Sequence, residues 1–441
     1  MKRKTIIVSV IFAASMLMNA CGTAKGTEDV KEETEIVMTE KAVADNDNAS
    51  AKENSISAGI DETTTSTWGE CGPDLKWYLQ DDILVIRGTG NMSFTNYDHA
   101  PWENHNEYIR TVIIEDGCVS ISREAFYRCK NLQEVTIPSS VTKIGEEAFS
   151  YCESLNNIVL PDSITDIGSK AFRASAIESI VIPDGVTIID ENVFEQCYSL
   201  CSIVIPDTVT DIGKYAFSGC ESLNNIVLPD SITDIGEWAF ATSGLESITI
   251  PGSVAVIEKN LFNGTHNLRD ITLQDGVTTI ADTAFSGCGL ENITIPNSVT
   301  IIGEEAFESC SNLKSIVIPE GVTVIEADTF LGCHSLADVT IPSSVTTIGE
   351  NAFRYCSSLT NIVIPDNVTS IGDVAFGSCD NLTDVVIPIN VTSIGESAFT
   401  SCDSLKEVVI ANADIKLGRF TFPNGTRVII DGKEQIWDCY K

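Results

Sequence analysis

The stretch IPSSVTKIGEEAFSYCESLNNIVLPDSITDIGSKAF, residues 137–172, spells one pattern and then begins it again. Ile137-Pro138, Val141-Thr142, Ile144-Gly145 and Ala148-Phe149 return as Leu160-Pro161, Ile164-Thr165, Ile167-Gly168 and Ala171-Phe172. Outward from this stretch the aromatic recurs as Phe126, Phe149, Phe172, Phe194, Phe217, Phe240, Phe262, Phe285, Phe307, Phe330, Phe353, Phe376, Phe399 and Phe422, at steps of 22 or 23. A regular period of this size marks stacked structural repeats. From the Pro slot to the Phe is always 11 residues, and the shorter steps fall in the turns after Phe172, Phe240 and Phe285. The Pro-to-Phe half is therefore geometrically fixed, and the turn after Phe tolerates deletion.

Within a coil, Leu132, Val135 and Ile137 alternate as a short strand with one face buried. Pro138 ends that strand, because proline cannot donate to a continuing ladder. Val141 and Ile144 are expected to turn inward, Gly145 to supply a conformation that residues with a Cβ avoid, and Ala148-Phe149 to enter the core. One coil has too few apolar residues to form a core alone, so the repetition itself makes the core. Residues 152–172 match 220–240 at 19 of 21 positions, which looks like duplication of a three-coil block.

The ends differ from the array. Lys2, Arg3 and Lys4 precede an apolar run from Thr5 to Met18 that is too short to span a membrane as a mature helix, as in a secretory signal. Met18-Asn19-Ala20-Cys21 resembles a bacterial lipobox, which implies lipidation at Cys21 and a stable anchor. Residues 22–67 are rich in Glu, Asp, Thr, Ser, Ala and Asn and lack aromatics, so they cannot bury enough apolar surface to order themselves. They read as a flexible acidic tether. The net charge of −36 makes the chain a poor candidate for binding nucleic acid or anionic lipid, since both need clustered Lys and Arg, and effectively excludes a nucleic-acid role.

The consensus L-x-x-I-x-I-P-x-x-V-x-x-I-G-x-x-A-F-x-x-C resembles the BspA-type, or Treponema pallidum-type, leucine-rich repeat over residues 111 to about 422. Trp68-Gly69-Glu70-Cys71-Gly72, Trp77, the run Leu84–Gly90, Met92 and Pro101-Trp102 resemble the N-terminal cap that accompanies such arrays. The resemblance implies an α/β-type solenoid: a right-handed array of about 14 coils with one parallel β-sheet along one face and a small β-containing N-terminal cap. The organisation expected is a signal peptide over 1–20, a lipid-anchored linker over 21–67, a cap over 68–110, the solenoid over 111–425 and a C-terminal cap over 426–441.

A search for chemistry is negative. There is no H-E-x-x-H, G-x-x-x-x-G-K-[ST], G-x-S-x-G or C-x-x-C, and the chain is read as a non-enzyme with no cofactor and no metal. His99 and His105 lie near Asp98 and Glu103, a pattern that loop histidines also give. Ten cysteines share the slot three after Phe: Cys129, Cys152, Cys197, Cys220, Cys288, Cys310, Cys333, Cys356, Cys379 and Cys402. Stacked equivalents point the same way, so they read as a ladder of buried thiols, with nothing basic nearby to favour thiolates. Outside the ladder, Cys71 and Cys118 are a candidate cap disulfide, and the states of Cys201 and Cys439 stay open.

Two outward rows should line the strands. The first includes the candidate binding residues Asn157, Asn225, Asp270, Asn292, Asp338, Asn361 and Asp384; the second is β-branched, from Thr136 to Val409. The rows lack the Trp, Tyr and Arg anchors of strong interfaces, which suits multivalent contact of low affinity per rung. Tyr215 and Trp238, two before Phe on adjacent coils, should stack outside the core and are a candidate sugar grip. The leading expectation is a cell-surface binding or adhesion module on the outer side of the bacterial membrane. It would recognise a host or bacterial surface protein or glycan, as the resemblance also implies. An envelope scaffold and a passive glycan binder are the alternatives; glycan cleavage would need converging carboxylates.

Overall fold

The computed structural model describes residues 67–94 and 99–438. The signal, Cys21 and most of the tether lie outside the described residues, as do Asp98 and Cys439. Three antiparallel strands, β1 (Thr67–Gly72), β2 (Asp74–Gln80) and β3 (Ile83–Asn91), stand at the N-terminal end. β3 then pairs in parallel with the first coil strand, β4 (Thr111–Ile114), and beyond Gly90 with β5 (Cys118–Ile121). From β6 (Glu134–Thr136) onward each coil adds a short outer strand segment, a Pro turn, a two-residue strand such as Lys143–Ile144, and the Phe turn. At the far end Arg427–Ile430 and Lys433–Ile436 form an antiparallel hairpin.

The result is a parallel β-solenoid of about 14 turns. Its one helix among the described residues is a 3₁₀ turn, Glu103–His105, so the α/β label does not describe it. The reason is local. Between Pro and Phe the chain must bend, and on either side of nearly every Phe it takes a left-handed residue that no α-helix accommodates.

The core is a column of aromatics. Every Phe of the period is fully buried, and successive rings stack with centroids 5.1–5.7 Å apart. Trp102 stacks on Phe126 at 5.8 Å, with Trp77 and Phe94 edge-on to it. Trp437 meets Phe422 edge-on at 5.1 Å. The column therefore ends in tryptophan at both ends, and buried Trp102 finds an acceptor for its Nε1–H in the Ala125 carbonyl at 2.8 Å.

Around this column the backbone is stitched coil to coil. The amides two before Phe, at Phe and two after it each donate to the next coil: Glu305 to Ala327 at 3.1 Å, Phe307 to Thr329 at 2.9 Å and Ser309 to Leu331 at 2.7 Å. The residues two before and two after are left-handed in nearly every coil and mostly not glycine, as at Glu305 (φ 56°) and Ser309 (φ 57°). The expected special conformation of Gly145 is not where strain lies. Gly145 is needed for close approach instead, because a Cβ there would sit 2.4 Å from the Arg123 backbone nitrogen of the preceding coil.

Candidate functional site

The strand face is built by the alternation in each outer strand. Inward Ile or Val residues such as Ile248 and Ile271 are buried, while their neighbours point to solvent. Parallel register stacks equivalents directly: Ser247 opposite Asp270 and Thr249 opposite Thr272, Ser315 opposite Asp338, and Asp384 opposite Glu407. Asn157, Asn225, Asp270, Asn292, Asp338, Asn361 and Asp384 all lie exposed on this face in one row. The second row carries unusually bare aliphatics, with Val159, Val227 and Val363 at 74–75% exposure. Isolated valines of that exposure between carboxamides and carboxylates make a flat, mildly apolar surface of repeated rungs.

Tyr215 and Trp238 do come together, ring centroids 5.9 Å apart and 16° from parallel. Both are half-buried rather than exposed, and each ring covers a face of the other. Lys214 lies over Tyr215 at 5.7 Å while its ammonium meets Glu237. The stack and Lys214 therefore crowd the Tyr215 ring, and one face of Trp238 is taken by the stack.

Arg and Tyr residues gather on the Phe-turn edge instead. The Arg128 guanidinium lies 5.1 Å from the Tyr127 ring and 5.6 Å from Tyr151, with Arg173 5.9 Å from Tyr151 on the other side. A second cluster places Arg354 over Tyr355 at 4.7 Å. These side chains occupy the slots one and two after Phe, so aligning the coils at those slots reveals them. The strand rows, as their sequence indicated, do not contain them.

The repeat cysteines are buried free thiols, and all but Cys129 have a job the sequence did not disclose. Cys197, Cys310 and Cys402 direct Sγ–H at the carbonyls of Phe172, Phe285 and Phe376 in the preceding coil, at 3.0–3.1 Å. Thr265 in the same slot does this with its hydroxyl, at 2.9 Å from Phe240. Burial pushes the Cys129 and Cys310 thiols up to about 12, so they are neutral thiols at neutral pH. Cys71 and Cys118 are likewise buried free thiols, not the expected disulfide, and burial also raises Cys71 to about 12.

His99 pairs with Glu103 at 3.5 Å in an exposed setting. His266 and His334 direct Nδ1 at the backbone carbonyls of Gly287 and Tyr355. Among the described residues no group of three or more His, Cys, Asp or Glu side chains is placed to hold a metal.

Comparison with known proteins gives a consistent picture. The family model of the BspA type leucine rich repeat region matches residues 104–201, 187–314 and 300–428. A leucine-rich repeat protein from Bacteroides ovatus is similar at 26% identity and TM-score 0.66, covering 84% of this chain and 98% of that one. A leucine rich cell surface protein from Faecalibacterium prausnitzii is similar at 27% identity over 80% of this chain and 96% of that one, TM-score 0.42. The leucine rich repeat protein of T. pallidum is similar at 26% identity over 57% of this chain and 91% of that one, TM-score 0.30. No curated protein matches.

Proposed function

The chain belongs to the BspA-type leucine-rich repeat family, and on that premise we propose that it is a non-catalytic interaction module displayed at the bacterial surface. The observation that carries this reading is the strand face, where Asn, Asp, Ser, Thr and Val recur in two rows along the coils and the asparagines and aspartates are exposed. Identical rungs multiply weak contacts, so a partner gains avidity from length without any deep pocket. Partners of this description are surface proteins or glycans of a host or of other bacteria. Lipidation at Cys21 and the acidic tether would hold the solenoid away from the membrane, with the β1–β3 unit and the C-terminal hairpin serving as its caps.

The test uses protein of residues 67–441 on arrays of extracellular-matrix proteins and glycans. Saturable binding that weakens when Asn225, Asp270 and Asn361 are changed together to alanine is the expected result. A folded protein that binds nothing on either array would remove the recognition reading and favour a role within the envelope.

A further inference from the structure

The outer strand ladder is interrupted at a fixed interval. The amide just before the first outward residue normally donates to the preceding coil: Glu178 to Asn156, Cys201 to Glu178 and Glu246 to Asn224 at 2.9 Å, and Arg269 to Glu246 at 3.0 Å. At Asn156, Asn224, Glu291 and Thr360 that backbone bond is missing, although Thr272 and Thr294 still bridge the coils of Asp270 and Asn292. Each residue lacking the bond precedes an outward asparagine: Asn157, Asn225, Asn292 and Asn361, which stand 68, 67 and 69 residues apart. The outward row thus reads Asn157-Ser179-Ser202, Asn225-Ser247-Asp270, Asn292-Ser315-Asp338 and Asn361-Asp384-Glu407, in threes. Shallow grooves lie at two of the interruptions. One is lined by Val204, Asn225 and Val227, and the other by Leu273, Ile293 and Thr294.

The second ladder, formed by the two-residue strands, also opens every third coil but one coil later. It pairs 143 with 166, 211 with 234 and 279 with 301, and is open between 166 and 188, 234 and 256, and 301 and 324. Here the sequence supplies a cause. Coils that stay paired carry Gly145, Gly168, Gly213, Gly236, Gly303 or Gly349 at the close approach, where a Cβ would lie 2.4–2.7 Å from a backbone nitrogen of the coil before. The three coils beyond the openings carry Asp190, Glu258 and Glu326 in that slot. Ala281 is accommodated with its bond to Ile257 intact at 2.9 Å, so it is the longer acidic side chain that accompanies an opening. The next opening in the series would fall at residue 393, but that coil has Gly395 and its ladder is closed.

We infer that the array is made of three-coil plates joined at seams, and that it opens locally at those seams while the Phe edge holds the coils together. At each seam an Asn coil is bonded forward through its outer strand and backward through its two-residue strand. No seam lacks a ladder on both sides, and none interrupts the aromatic column. Stability in a repeat array is a sum over coils and their interfaces, and local opening starts where backbone bonds are fewest.

Native-state hydrogen exchange on the full chain, read amide by amide, tests this. Asn156, Asn224, Glu291 and Thr360 should exchange at least tenfold faster than Glu178, Cys201, Glu246 and Arg269, and Asp190, Glu258 and Glu326 at least tenfold faster than Gly213, Gly236 and Gly349. Protection within twofold across the two groups would overturn the seams. The variant Glu258→Gly addresses the cause: slower exchange at position 258 and its neighbours is expected. Unchanged exchange there, in a variant whose other amides match the parent, would overturn the role assigned to glycine.

Discussion

The two edges of this solenoid are built from the same coils yet obey different rules. Along the Phe turn the coils are nearly uniform: a stacked ring, in most coils a buried thiol or hydroxyl on the previous Phe carbonyl, and backbone bonds forward. Along the strand face the coils are grouped, the ladder is interrupted, and aliphatic side chains stand in water. The difference shows where the fold is fixed and where it is free. A fully buried ring contributes roughly 2–3 kcal/mol by transfer alone, whereas an exposed valine contributes almost nothing, so sequence on the strand face can answer to a partner.

The largest break of this comparison is Phe307→Ala, which removes one ring from the middle of the column. A loss of about 3–5 kcal/mol is expected from chemical denaturation, against less than about 0.5 kcal/mol for Val227→Ala on the face. A loss near 1 kcal/mol for Phe307→Ala would mean that the column relaxes and is not the core. Next comes Gly372→Ala, whose Cβ would meet Glu350 N and Gly349 C at 2.6 Å. Ala281 shows that a coil can relax around a Cβ in this slot, so a modestly lowered denaturation midpoint worth about 1 kcal/mol is expected. A neutral result would separate the glycine slot from close packing.

A smaller effect of opposite sign is expected at Val374, a β-branched residue held at φ 53°. Asparagine occupies the same slot as Asn192, Asn260 and Asn351, and it tolerates the left-handed region far better than valine. Val374→Asn should therefore raise the thermal midpoint, by the equivalent of about 0.5–1 kcal/mol; a lowered midpoint would mean that packing of the valine outweighs its strain.

The smallest sharpening is alkaline. Burial raises the folded thiols above their ordinary value, so the fold favours the neutral form. That contribution is present below about pH 9 and is lost as pH rises toward about 12. Cys310→Thr, which copies the hydroxyl that Thr265 already places in this slot, should flatten the fall in stability over that window. An equally steep fall in the variant would take the thiol out of the account.

Much of this was legible because a period of 22 or 23 residues leaves few alternatives. The inward positions, the Phe column and the exposed Asn and Asp row follow from alternation and spacing alone. The rest was hidden for physical reasons. Gly145 looks like a turn residue by composition, and only the stacked neighbour reveals that close approach is what it serves. The left-handed residues are of many kinds, among them Glu124, Trp238 and Val374, and apart from the asparagines and aspartates such residues do not announce a positive φ. The asparagines at the start of each plate are visible in the sequence singly and within a duplicated block. Their link to an opened ladder needs the hydrogen bonds of adjacent coils. Spacing brings Tyr215 and Trp238 together in a stack, but it carries no sign that both rings are half-buried.

The most direct test of the division between the two edges is binding of labelled 67–441 protein to intact bacterial and epithelial cells. The parent would be compared with Val227→Arg/Val363→Arg on the strand face and with Arg128→Ala/Tyr355→Ala on the turn edge. Saturable binding that is lost in the first pair and retained in the second, with all three proteins equally folded, is the expected result. Binding that survives the strand-face arginines and disappears with the turn-edge alanines would contradict it.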